Sequence, residues 1–170
     1  APLQQAIHTG SYVHVDRRLR DDDLQGPFTF ECWLRPWTFN RRQGIVSQFD
    51  ESKGGCGLFL APDSHVEFPS GATDAQGDPI GIRHPGRRLA RRRWSHLVGI
   101  WDGKQATLYV DGVKSEPYTA DGSQRFAKSP LRLGAFGRDG LASGFLDGDL
   151  AMPVIYNKAL SEAEVQQRMK

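Results

Sequence analysis

The chain has 170 residues, 38% of them hydrophobic and 25% charged, with a formal charge of +2. That length suits one domain with a sizeable core, and the composition excludes a disordered or collagen-like chain. No apolar run approaches the roughly 18 residues that would mark a membrane helix, and so small a net charge does not by itself call for a polyanionic partner.

Period-two alternation begins at residues 28–35, Phe-Thr-Phe-Glu-Cys-Trp-Leu-Arg. It predicts a half-buried strand with Phe28, Phe30, Cys32 and Leu34 toward a core. Thr29, Glu31, Trp33 and Arg35 take the opposite face, and Pro36 stops the strand. Residues 44–49 predict a second strand, 50–55 a polar Gly-rich turn, and 57–60 a third strand. A turn at Pro62-Asp63-Ser64 leads to a short strand over 65–68. Residues 69–90, rich in Gly, Pro and Asp, read as a long loop.

Order resumes with a strand over 94–101 and a turn at Asp102-Gly103. The strand over 106–110 ends at Asp111-Gly112, a hairpin signal because that turn needs positive φ at both central residues. Residues 130–134 and 148–156 add strands. The only predicted helix runs from Glu162 to about Met169: Ser161 with Glu164 three residues on makes a capping box, flanked by Leu160 and Val165 at staple positions. Short strands, Asp-Gly turns and one terminal helix predict an all-β, two-sheet antiparallel sandwich occupying residues 1–170 as a single domain, complete or a fragment of a longer chain.

These segments, in this order, resemble the laminin-G-like, concanavalin A-like jelly-roll family. The likeness is carried by residues 28–36, by Trp94-Ser-His-Leu-Val-Gly-Ile-Trp-Asp-Gly103, by Leu108-Tyr-Val-Asp-Gly112 and by the stretch from Leu146 to Ser161. The resemblance implies a jelly roll and says nothing by itself about activity. One departure stands out: where the family has an acidic pair before its terminal Ile-Tyr, this chain has Ala151 and Met152, so no role of that pair carries over. Pro153 and the Arg-rich approach to Trp94 look more like the sandwich domain of N,N-dimethylformamidase-type large subunits. In that family, as the resemblance implies, the iron-dependent centre lies in another domain.

A retaining glycosidase needs two carboxylates about 5 Å apart, and no strand here carries the alternate Glu-x-Asp-x-x-Glu spacing that would supply them. Gly-x-Ser-x-Gly is absent, Cys32 points to the core, and His96 reads as a packing or surface histidine. No catalytic residue is therefore predicted. For a ligand, Trp33 is the best candidate, an aromatic face with Glu31 and Arg35 on either side, as a sugar ring would want; the alternative is a ring covered by a neighbouring loop. Arg87, Arg88, Arg91, Arg92 and Arg93 could hold an acidic partner through bidentate guanidinium contacts, a protein surface or other domains of a larger parent. Only Trp94 is interleaved with them, which argues against nucleic acid. A structural calcium would draw on Asp50 and Glu51, or Asp147 and Asp149, although turns also use Asp and Gly.

The leading function is a non-catalytic recognition or assembly module for a glycan or a protein surface. The competing reading is the structural sandwich of an amidohydrolase subunit. Cys32 and Cys56 are expected as two free buried thiols rather than a disulfide. With no basic n-region or apolar h-region in the first ten residues, this favours a cytoplasmic place, an extracellular one staying open.

Overall fold

A computed structural model describes residues 4–7, 10–15, 26–73, 79–119 and 129–169. Strands β1 (Gln4–Ile7) and β2 (Val13–Val15) precede the long β3 (Phe28–Pro36). Four successive strands follow, β4 (Gln43–Asp50), β5 (Gly54–Leu60), β6 (His65–Thr73) and β7 (Pro79–Arg88), then β8 (Ser95–Trp101) and β9 (Gln105–Val110). Short strands β10 (Val113–Lys114), β11 (Tyr118–Thr119), β12 (Leu131–Leu133), β13 (Phe136–Arg138) and β14 (Leu141–Ser143) lead to β15 (Gly148–Tyr156) and the helix α1 (Glu162–Arg168).

The strands form two sheets. Sheet A runs β1-β15-β3-β8-β9-β10, with β11 also on β9; sheet B runs β14-β13-β4-β5-β6-β7, with β12 joining β2 to β4. Among the described residues pairing is antiparallel apart from one parallel bridge between Gly137 and Asp50. Because β15 lies between β1 and β3, the chain ends by returning to where it began, the crossover of a jelly roll.

The inward series of β3 is wholly buried: Phe28, Phe30, Cys32 and Leu34 all have 0% exposure. They meet Leu58, Leu60, Val66 and Phe68 of sheet B in one core. Phe68 presses on Gly99 of β8, where a Cβ would come within 2.5 Å of the Phe68 ring. The two cysteines lie in this core as free thiols. The Asp111-Gly112 turn has φ of 50° and 73°, and its register places Val113 opposite Val110, as a two-residue hairpin with both central residues left-handed requires.

Two expectations need correction. Residues 69–90 are not mainly loop, since 69–73 complete β6 and 79–88 form β7; residues 74–78 lie outside the described set. Proline and glycine hid the alternation, and register shifts at His65/Glu67 and Pro69/Thr73 absorb them. β7 is an edge strand, where a proline without an N–H is tolerated. Secondly, β3 is not half-buried. On its outer face Thr29 is at 0% and Glu31 at 7% exposure, because α1 covers this end of sheet A. Val98, Ile100 and Tyr109 of the sheet pack against Leu160 and Val165. Thr29 Oγ1 donates to Lys158 O at 2.8 Å and accepts from Leu160 N at 3.1 Å, fixing the approach to the helix. The capping box forms at Ser161 and Glu164.

Pro153 is accommodated by a register shift between Ala151 and Val154, with Met152 at φ 50°. A bulge needs no ladder N–H from the proline, and β15 stays paired to β3 on both sides of it.

Candidate functional site

The sequence-predicted ligand trio does not form one exposed surface. Glu31 lies under α1. Its carboxylate accepts from His96 Nε2 at 2.9 Å and from Tyr156 Oη at 2.8 Å, with Arg168 3.7 Å away. Burial alone would raise this carboxyl, but the hydrogen bonds from His96 and Tyr156 and the nearby charges carry it below the usual carboxylate range. Trp33 is half-buried and tilts over His96 with ring centroids 5.0 Å apart. Arg35 Nε donates to Asp149 Oδ2 at 2.6 Å, shares that oxygen with Trp37 Nε1, and spreads over Trp94. The polar groups beside Trp33 are thus occupied in holding sheet A together.

The calcium candidates do not converge. Asp50 accepts from Ser52 N and Oγ and from Gly140 N. Burial would raise its carboxyl, and these donors outweigh it and lower it. Glu51 pairs with Arg138 at 2.5 Å, and Asp149 with Arg35. Asp147 sits beside Asp149 in sequence, and its N–H donates to Gln43 Oε1. Among the described residues no three His, Cys, Asp or Glu side chains are gathered as a cation would need. Guanidinium, hydroxyl and N–H donors already engage the carboxylates of Asp50, Glu51 and Asp149.

Sheet B carries what the sequence reading missed. On its outer face Phe49, Phe59 and Phe136 form a second, smaller apolar cluster. The Arg42 guanidinium lies over all three rings, nearest Phe59 at 4.2 Å from its centroid. Its Nε donates to Glu67 Oε2 at 2.9 Å; the other Glu67 oxygen takes Arg83 Nη2 at 2.5 Å, and Arg83 Nη1 reaches Asp63 at 2.7 Å. The hydrogen bond that Arg83 donates to Glu67 raises its guanidinium above the ordinary value. Arg42, Glu67 and Arg83 line a cleft of about 280 Å³ with Phe49, Pro69, Gly81 and Ile82, near the lower size limit of small-molecule sites.

The register explains the assembly. Phe59 lies opposite Glu67, and Glu67 opposite Arg83, so three neighbouring strands each present one residue to the same face. Glu67 was legible as the outward residue between Val66 and Phe68. Arg83 was hidden inside the stretch read as loop, and Arg42 precedes its strand, where periodicity says nothing. Each guanidinium has five N–H groups, and only some are used by Glu67 and Asp63. The cleft therefore offers planar donors beside carboxylate acceptors, held over an apolar floor, an arrangement able to hydrogen-bond hydroxyl groups.

The arginine cluster is exposed: Arg87 and Arg88 end β7, and Arg91, Arg92 and Arg93 lie in the turn before β8. Arg91 rests over Phe39 at 5.8 Å.

The solved structures that this chain resembles share its architecture. The CBM40 module of the Ruminococcus gnavus IT-sialidase, bound to α2,3-sialyllactose, matches with a TM-score of 0.79 at 15% identity, covering 99% of this chain and 98% of that one. A leech intramolecular trans-sialidase complexed with 2,7-anhydro-Neu5Ac matches at 0.76 and 16% identity over 96% of this chain and 26% of that one. The SAP-like pentraxin of Limulus polyphemus matches at 0.62 and 13% identity over 85% and 70%. At such identities the likeness is one of fold. No curated protein matches the chain. A laminin-G family model matches residues 8–166, and with nearly its whole length so matched this chain belongs to the concanavalin A-like lectin/glucanases superfamily.

Proposed function

We propose that this domain is a non-catalytic carbohydrate-recognition module whose glycan sits in the cleft of Arg42, Glu67 and Arg83. The observation that carries the reading is the Arg42 guanidinium, centred 4.2 Å over the Phe59 ring while its Nε bonds Glu67. The rings beneath it and the Glu67 bond hold the guanidinium in place, so its remaining donors are preorganised for hydroxyl groups and need little ordering on binding. The jelly rolls of similar fold bound to sialyllactose or 2,7-anhydro-Neu5Ac support it as likenesses of shape. The non-catalytic reading is supported by the carboxylates at and beside the cleft: Glu67 is engaged by two guanidinium groups and Asp63 by Arg83, where a retaining glycosidase needs a free acid and nucleophile.

The alternative, a structural sandwich resembling that of an N,N-dimethylformamidase large subunit, rests on Pro153 and the Arg-rich segment before Trp94. It requires no glycan in the cleft. A glycan array with the native protein and Arg42→Ala separates the two. Hits lost in Arg42→Ala, with folding retained, are expected; an array without hits, or hits that Arg42→Ala keeps, overturns the cleft assignment.

A further inference from the structure

From Pro79 to Trp101 the chain carries six arginines and no acidic residue. They follow one path. Arg83 faces the cleft; Arg87 and Arg88 end the same edge strand, past the register shift that sets Arg88 opposite His65, two β6 residues or roughly 7 Å along the sheet from Glu67. The chain then turns, with Leu89 N donating to Ser64 O and Arg92 N to Pro36 O, which carries the last arginines round to the end of β3. Several other described arginines have carboxylate partners: Arg35 with Asp149, Arg83 with Asp63 and Glu67, Arg138 with Glu51, Arg168 with Glu31. Among the described residues the side chains of Arg87, Arg88, Arg92 and Arg93 have none. The cleft itself is charge-balanced, since Glu67 and Asp63 offset Arg42 and Arg83, while the strip beside it is uncompensated.

We propose that the ligand is an acidic polysaccharide: one sugar ring occupies the cleft, and the carboxylate or sulfate groups of neighbouring rings lie along Arg87, Arg88 and Arg93. This rests on the glycan reading of the cleft and names its ligand class. A neutral cleft reads hydroxyls and an unpaired guanidinium row reads anions, and a charged sugar chain presents both at once. The strip suits other polyanions less. Its rings, Phe39 and Trp94, are half-buried and lie under Arg91 and Arg35, so it offers no open platform for nucleic-acid bases and no central apolar anchor for a protein. Pro85 and the charges on β7 also disfavour an added peptide strand.

The test is titration calorimetry with oligogalacturonate, hyaluronan and heparin hexasaccharides. Each is paired with its charge-neutralised counterpart: methyl-esterified, carboxyl-reduced or desulfated. At least one acidic form should bind about tenfold tighter than its counterpart. The advantage should shrink as salt is raised and vanish in Arg87→Ser/Arg88→Ser/Arg93→Ser, whose melting should match the native protein. Arg42→Ala should abolish binding of both forms. Equal affinity for acidic and neutral forms, or an unchanged triple variant, overturns the acidic preference and leaves the cleft assignment standing. Single-stranded DNA or polyglutamate bound as tightly as the sugar overturns the ligand class. Acidic binding that survives Arg42→Ala overturns the joint site, and no binding of any hexasaccharide overturns this proposal and counts against the glycan reading beneath it.

Discussion

His96 Nε2 donates to Glu31 Oε1 at 2.9 Å from a ring with no solvent exposure. The pair sits beneath α1, and Tyr156 and Arg168 complete the set around the carboxylate. A buried charge is tolerated only when its donors are in place, and removing the charge strands them. The Glu31 carboxyl lies below its ordinary range when folded, near 4.3 when unfolded. Its contribution is therefore complete above the unfolded value and fades as pH falls through the folded one. Glu31→Gln should lose about 1–3 kcal/mol at neutral pH, and should lose less further stability than the native chain on acidification below about pH 4. Urea unfolding between neutral pH and pH 3 reads both; parallel acid limbs in the two proteins would show that Glu31 is not the group concerned.

Gly99 faces Phe68 across the core, and a methyl group there would enter the ring. Phe68 is itself closed in by Phe28 and Phe30, with centroids 6.3 Å away in each case, so it has no free direction of retreat. Gly99→Ala should cost about 1–3 kcal/mol, the range for overpacking a close-packed interior. The paired change Gly99→Ala with Phe68→Leu should recover part of that loss, because the two sites are in contact and their effects do not add. Thermal unfolding of the single and double variants measures the recovery.

The core of β3, the Asp111-Gly112 hairpin and the capping box at Ser161 were legible because each depends on near neighbours in sequence: alternation, two turn residues, a three-residue spacing. The cleft was not. Arg42, Glu67 and Arg83 meet only through the register of β5, β6 and β7, and β7 was masked by Pro79, Gly81, Pro85 and Gly86. Glu31 was placed on the correct face of its strand, but what covers that face is α1, more than a hundred residues away. Periodicity tells which side a residue takes; it does not tell what lies on that side.

Trp33 illustrates the point. Read as either an exposed platform or a covered ring, it is half-buried and stacked on His96, with its polar neighbours engaged elsewhere. Trp33→Ala should destabilise by about 1–2 kcal/mol, an aromatic pair plus part of a ring's burial, less than the 3 kcal/mol or more of a core tryptophan. Glycan affinity should be unchanged, since Trp33 belongs to sheet A and the cleft to sheet B. Affinity lost with Trp33 would move the site to the other sheet.

Cys32 and Cys56 are enclosed by the core, and burial raises both thiols, Cys56 to about 12. A thiol held protonated and out of solvent is neither nucleophile nor ready disulfide partner. An aromatic disulfide reagent at mildly alkaline pH should label neither in the native protein and both in denaturant. Native labelling would show that the core opens locally.

Arg42 is the residue on which the cleft turns, and lysine in its place separates charge from shape. Lysine keeps the positive charge near Glu67 but has a compact ammonium in place of a plane. If charge alone held the glycan, Arg42→Lys would bind nearly as well as the native protein. The guanidinium spreads over Phe49, Phe59 and Phe136 together, and a planar donor set fixed by that stacking cannot be rebuilt by an ammonium on a flexible stem. Affinity for the sugar should therefore fall about tenfold or more, with a stability loss of only about 1 kcal/mol for the weakened cation–π contact. Calorimetric titration and urea unfolding of the same sample read the two quantities. Full affinity with lysine in place would mean that the plane of the guanidinium is not what the ligand meets.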